Sequence, residues 1–164
     1  MPFYEVRHVT PLSQAQQDSL AEALTTIHST KFTTPRLFVN VGFVDQSKIN
    51  TYVAGKPRKG NSISANVRVG PSRTQKDWDQ LCEEVVAAWE KIVPEAELRG
   101  VFILGSLTAG WEAGFTLPPA GQDVQWLKDN WQAFEEKAKA GDEDFADMLV
   151  EIKQRGVLEQ TNGK

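Results

Sequence analysis

A strand–helix–strand pattern occurs twice in this chain, and it limits the fold more than any other feature. In the first unit, Phe3 to Val9 alternates weakly and is rich in β-forming residues. Thr10-Pro11-Leu12 breaks the strand, and Ser13 with Gln16 fits a capping box, in which each side chain satisfies a helix-end backbone donor. Leu20, Ala23, Leu24 and Ile27 then recur at helical spacing. Leu37 to Val44 is a near-continuous apolar run, the pattern of a strand covered on both faces. In the second unit Ile63, Ala65, Val67 and Val69 face one way, and Ser62, Ser64, Asn66 and Arg68 the other. Gly70-Pro71 ends that strand, and Ser72 or Thr74 can cap the helix that follows. An apolar stripe from Trp78 to Val93 predicts a long helix stopped by Pro94, and Val101 to Leu104 predicts the next strand. The amino acids hardly match between the units, so the repeat is one of pattern.

Two βαβ units with right-handed crossovers predict an α+β fold: one four-stranded sheet with both helices on one face. The other face then needs cover, from the C-terminal helices or from another subunit, which makes a homo-oligomer the expectation. Between the units, Asn50 to Ala54 and Gly55 to Gly60 predict a short strand and an exposed turn. Ser106 to Gly121 reads as irregular. Two helices follow, from about Val124 to Ala140 and from about Asp142 to Arg155, with a tail frayed from Val157.

A formal net charge of -4 excludes the usual basic footprint of a nucleic-acid binder. The single cysteine, Cys82, has no internal partner, which favours a reducing compartment; on its apolar stripe it reads as a small core residue. No signal-peptide pattern and no membrane-length apolar run is present, so a cytoplasmic protein that does not engage membranes is expected. Gly-rich phosphate loops, nucleophile elbows and paired-cysteine metal spacings are missing, and two histidines are too few for an obvious metal centre.

Five residues remain as carriers of chemistry: Pro2, His28, Arg68, Arg73 and Glu112. Proline is tolerated at the start of a strand, where no ladder donor is needed. If Met1 is removed, Pro2 also becomes an N-terminal secondary amine, a base with no side chain to position. His28 lies near the end of the first helix, where a histidine also interacts favourably with the helix dipole. Arg68 sits on the polar side of its strand, and Arg73 at a helix start, where a cation opposes the dipole. Each either binds an anion or points to solvent. Glu112 stands beside Trp111 in a Gly-rich stretch.

Taken in order, these residues resemble the tautomerase superfamily, specifically the cis-3-chloroacrylic acid dehalogenase group. The resemblance rests on Met1-Pro2-x-Tyr4 opening a strand, on Ala23 to His28 at a helix end, and on Ser72-Arg73 before the second helix. It rests also on Glu112 followed by Gly114, and on Phe115-x-Leu117-Pro118 leading toward Trp126-Leu127. It implies a domain of two βαβ units over residues 1–127; residues 128–164 extend beyond the resemblance and are expected to form a helical extension packed on the same domain. It also implies a homotrimer, a catalytic N-terminal proline, and neither metal nor organic cofactor. An α-amino group titrates near pH 7.7–8, and nearby cations lower that value. Pro2 would then shuttle a proton as general base and acid, while Arg73 and Arg68 bind the carboxylate of a small carboxylic-acid substrate. The implied activity is tautomerisation of 2-oxo, enol or unsaturated acids. The alternatives are a hydratase or dehalogenase in which Glu112 activates water with help from His28, a non-catalytic trimeric binding protein, or an unrelated ferredoxin-like dimer. Two positions depart from the group: Gly70 stands where a first arginine is expected, and Leu104 where a tyrosine is expected.

Overall fold

The computed structural model describes residues 1–159. In chain order it contains β1 (Phe3–His8), α1 (Gln14–Phe32), β2 (Asn40–Asp45), a small hairpin of β3 (Tyr52–Val53) and β4 (Lys56–Pro57), and β5 (Asn61–Asn66). There follow α2 (Gln75–Ile92), β6 (Leu98–Leu104), a second small hairpin of β7 (Trp111–Glu112) and β8 (Phe115–Thr116), α3 (Asp123–Lys139) and α4 (Glu143–Gln154). Both long βαβ helices start as their sequences dictate. Ser13 and Gln16 form the predicted capping box, and Thr74 with Asp77 forms a second.

The four long strands form one mixed sheet in the order β2-β1-β5-β6. Each unit supplies a parallel pair, and the units join through antiparallel pairing of β1 with β5, with Tyr4 opposite Ala65. α1 and α2 pack on one face over Tyr4, Val6, Ile63, Ala65 and Val67, with Leu20, Leu24, Leu81, Val85 and Trp89 facing them. Burying these side chains is the main stabilising term of the domain, at about 1.5–3 kcal/mol for each large aliphatic chain.

Three expectations are corrected. The apolar run from Leu37 is not one doubly covered strand. Arg36–Phe38 forms a 3-10 turn, and β2 is an edge strand whose residues Asn40 to Val44 are only half-buried. The run reads as continuous because it serves two cores: Phe38 enters one, while Val41 and Phe43 pack against the other. The alternation in the second unit stops early. β5 ends at Asn66, Val69 is 58% exposed, and Val67 and Arg68 are both buried. Cys82 is only half-buried, at the rim of its stripe.

α3 and α4 do not cover the open face of the sheet. They pack with Met1, Phe38 and Val157 into a second core, in which the Phe115, Trp126 and Phe134 rings meet edge-on or tilted and Phe145 stacks on Phe134. α3 runs unbroken past residue 127. Val157–Glu159 forms a 3-10 turn with Val157 buried, so the tail is ordered there; the rest of it lies outside the described residues. The open face keeps Phe3, Phe102 and Leu104 between 44% and 57% exposed.

Candidate active site

The site is built at the start of β1. Met1 and Pro2 are both buried, and the Asn40 amide of β2 donates to the Pro2 carbonyl at 3.1 Å, which holds the chain start against the neighbouring strand. The terminal amine is pushed down from its ordinary value of 8.0 to about 5. Burial is the main cause, and the positive charge of Arg68 is next; Asp123 opposes them, Arg73 lowers the value further, and Glu112 raises it. Four charges from three separate segments therefore act on the first residue.

His28 follows Leu20 and Leu24 at four-residue steps, which places it on the buried face of α1. A hydrogen bond of 2.9 Å joins its Nδ1 to the Tyr4 hydroxyl of β1. Burial first, then the positive charges of Arg73, the chain terminus and Arg68, holds His28 well below its ordinary value, so its ring is neutral. Burial likewise pushes the Tyr4 phenol up, so it stays protonated.

The two arginines lie side by side but are engaged differently. Arg73 precedes the Thr74 cap, and its guanidinium lies 4.4 Å from the centre of the Phe32 ring. Its Nη1 donates to the Arg68 carbonyl at 2.8 Å, while its Nη2 is buried with no partner. Burial lowers its pKa to about 10, which leaves it cationic near neutral pH. Arg68 is 5% exposed and lies beyond the end of β5, so it is not on the polar side of a strand. Its Nη2 donates to Asp123 Oδ1 at 2.7 Å, and its Nη1 donates to the Pro118 carbonyl. The same segment explains Gly70. A Cβ there would meet the Ala120 Cβ at 3.0 Å and the Ala120 carbonyl oxygen at 3.3 Å, so the loop stands where a longer side chain would begin.

Glu112 is presented by the tight β7–β8 turn, whose Ala113 and Gly114 both take positive φ. It accepts from Asn40 Nδ2 at 2.7 Å. Trp111 is 72% exposed and does not bury it. Leu104 lies half-exposed on the open face, in register with Asn66 and, through it, with Phe3; of the two tyrosines, Tyr4 is joined to His28, and Tyr52 is 63% exposed on the β3–β4 hairpin.

Two polar residues at the site escaped sequence reasoning. Asn40 carried a signal, as the one polar side chain in the run from Leu37 to Val44. Asp123 did not, because an acid in the first turn of a helix is favoured there in any case. Among the described residues, no cluster of three His, Cys, Asp or Glu side chains is placed to hold a metal ion, and no helix is long and apolar enough to cross a membrane.

Residues 1–131 match the family model described as putative oxalocrotonate tautomerase enzyme. The chain belongs to this tautomerase family. Solved structures agree in fold. N1, a member of the cis-3-chloroacrylic acid dehalogenase family, is similar with a TM-score of 0.64 and 24% identity, over 88% of this chain and 99% of its own. A probable enzyme from the thermophilic fungus Aspergillus fumigatus is similar with a TM-score of 0.60 and 17% identity, over 79% and 94% of the two chains. A fused 4-OT, described as an asymmetric trimer, is similar with a TM-score of 0.57 and 19% identity, over 70% and 94%. No curated protein sequence matches the chain. In this member of the family, Pro2, His28, Arg68, Arg73 and Glu112 all lie toward the β1 end of the sheet, with Asn40 and Asp123 added to them.

Proposed function

We propose that this chain is a proline-dependent tautomerase of small 2-oxo, enol or unsaturated carboxylic acids. Loss of Met1 frees the Pro2 nitrogen as a secondary amine at the buried start of β1. There the neutral amine accepts the hydroxyl proton of an enol acid. The enol oxygen becomes a carbonyl, and the proton is returned from nitrogen to the adjacent carbon. Arg73 receives the carboxylate through its unpartnered Nη2, and neutral His28 adds a hydrogen bond at the same end. The observation that carries this reading is the buried, unpartnered Nη2 of Arg73 together with the buried chain start on which its charge acts. An unpaired buried donor costs about 1–3 kcal/mol, and a bound carboxylate relieves that cost.

A second reading is favoured by the Asn40–Glu112 hydrogen bond, which orients a carboxylate at this end of the sheet. Glu112 would activate water for hydration or dehalogenation of an unsaturated acid. That chemistry needs a cationic Pro2 to donate a proton, whereas the burial and the arginine charges that push the Met1 amine down at this chain start support a neutral amine there. The exposed Phe3, Phe102 and Leu104 support a homotrimer in which another copy covers the open face. The deciding experiment follows ketonisation of phenylenolpyruvate by ultraviolet absorbance, with untagged protein shown by intact mass to lack Met1. Pro2→Ala slows it by at least about a hundredfold if the amine is the base. Equal rates refute the tautomerase reading and leave a binding protein. Glu112→Gln abolishes hydration while sparing tautomerisation if the second reading holds beside the first.

A further inference from the structure

Arg68 and Asp123 are 5% and 4% exposed and form an ion pair of 2.7 Å between the segment after β5 and the first residue of α3. A carboxylate is gripped bidentately by two neighbouring nitrogens of a guanidinium. Asp123 takes one hydrogen of Arg68 Nη2 and neutralises its charge, the Pro118 carbonyl takes one of Nη1, and the buried Nε has no partner, so the donors Arg68 keeps sit on a cation that is already paired. Arg73 differs in charge: among the described residues no carboxylate forms an ion pair with it, its Nη1 is bound to the Arg68 carbonyl, and its Nη2 has no partner. Two cations, Arg68 and Arg73, and two carboxylates, Asp123 and Glu112, act on the chain start. One substrate carboxylate there has Arg73 as its counterpart. A second would stand near Asp123 or Glu112, and like charges brought together cost several kcal/mol.

We propose that Asp123 is a positioning residue that takes Arg68 out of substrate binding, so that the site accepts a monocarboxylate on Arg73 and turns away a dicarboxylate. The proposal rests on the reading that the substrate is a small carboxylic acid. The role is distinct from a purely structural tie between α3 and the sheet. Such a tie changes stability when cut, but not the charge of the ligand that binds.

The test compares crotonate with fumarate, which share a skeleton and differ by a methyl group against a carboxylate. Dissociation constants are measured by nuclear magnetic resonance titration of the full-length untagged chain. The wild type binds crotonate at least about tenfold more tightly than fumarate. Asp123→Asn keeps the shape of the pair but releases the Arg68 charge, and the preference narrows by at least about tenfold. Asp123→Glu restores it. A second readout is the pH dependence with which the terminal amine reacts with an amine-directed reagent. The charged and titratable groups acting on that amine are Arg68, Asp123, Arg73 and Glu112, with His28 beside them. The amine titrates at lower pH in Asp123→Asn. Equal wild-type affinities, binding of neither acid, or an Asp123→Asn protein that loses stability with its preference intact overturns the proposal. If Asp123→Asn does not fold, the wild-type ratio and Asp123→Glu decide it. Both readouts are independent of turnover, so a protein inactive in ketonisation refutes the proposed function and still returns an answer here.

Discussion

Acidification should destabilise the Met1-bearing chain through its own terminus. In the unfolded chain that amine titrates at its ordinary 8.0, and in the folded chain at about 5. Between these values the unfolded state holds one more proton than the folded state, so stability rises with pH across this window and is lost as pH falls through it. At 1.36 kcal/mol per pKa unit, the loss between about pH 8.5 and about pH 5.5 is roughly 3 kcal/mol. The assay is urea unfolding at the two pH values. It uses protein prepared with Met1 retained and an otherwise identical protein with that terminus acetylated. His28, held well below its ordinary value, also loses stability as pH falls through this range. It does so in both proteins, so their difference reports the amine together with the part of the His28 shift that the amine's charge causes. The lowered carboxyls of Asp45, Asp77 and Glu95 lose their contributions only at more acidic pH, as they protonate in the folded state. Equal pH dependence in the two proteins would refute the argument that the chain start disfavours a cation. With it would go the reason for treating Pro2 as a neutral base near pH 7.

Other perturbations test separate parts of the structure. Tyr4→Phe leaves buried His28 without its partner and should cost about 1–3 kcal/mol in urea unfolding. Trp89→Ala removes a fully buried ring whose Nε1 donates to the Ala96 carbonyl at 2.7 Å, and should cost about 3–5 kcal/mol. Thr74→Ala removes one half of a capping box and should lower stability by about 1 kcal/mol, read as a shift in thermal midpoint. Phe102→Lys places a charge on the open sheet face and should shift the mass measured by light scattering from trimer toward monomer; an unchanged mass would exclude this face as the interface.

Much of the fold was legible because its signals are short-range. The Ser13–Gln16 and Thr74–Asp77 boxes span three residues, and the helical stripes repeat every three or four. Each is settled by neighbours in the chain. The run from Leu37 misled because apolarity does not say which core a residue enters, and Phe38 and Val41 enter different ones. The alternation that placed Arg68 on the polar side of its strand failed where β5 ended and the period of two no longer applied. The five candidate residues could be chosen by residue type and order, but their partners could not.

The sequence by itself determined the two βαβ units, the caps of their helices and the pair of C-terminal helices. Tertiary structure decided the strand order β2-β1-β5-β6, the antiparallel seam between β1 and β5, and the second core that draws α3 and α4 away from the open face. It also decided the polar pairs of the site. Asn40 meets Glu112 across 72 residues, and Arg68 meets Asp123 across 55. The physical reason is one of range. A cap or a stripe is satisfied within a turn of helix, whereas a buried charge takes whichever partner the packed elements bring to it. Neither residue of the Arg68–Asp123 pair carries a mark of the other until β5 and α3 are packed together.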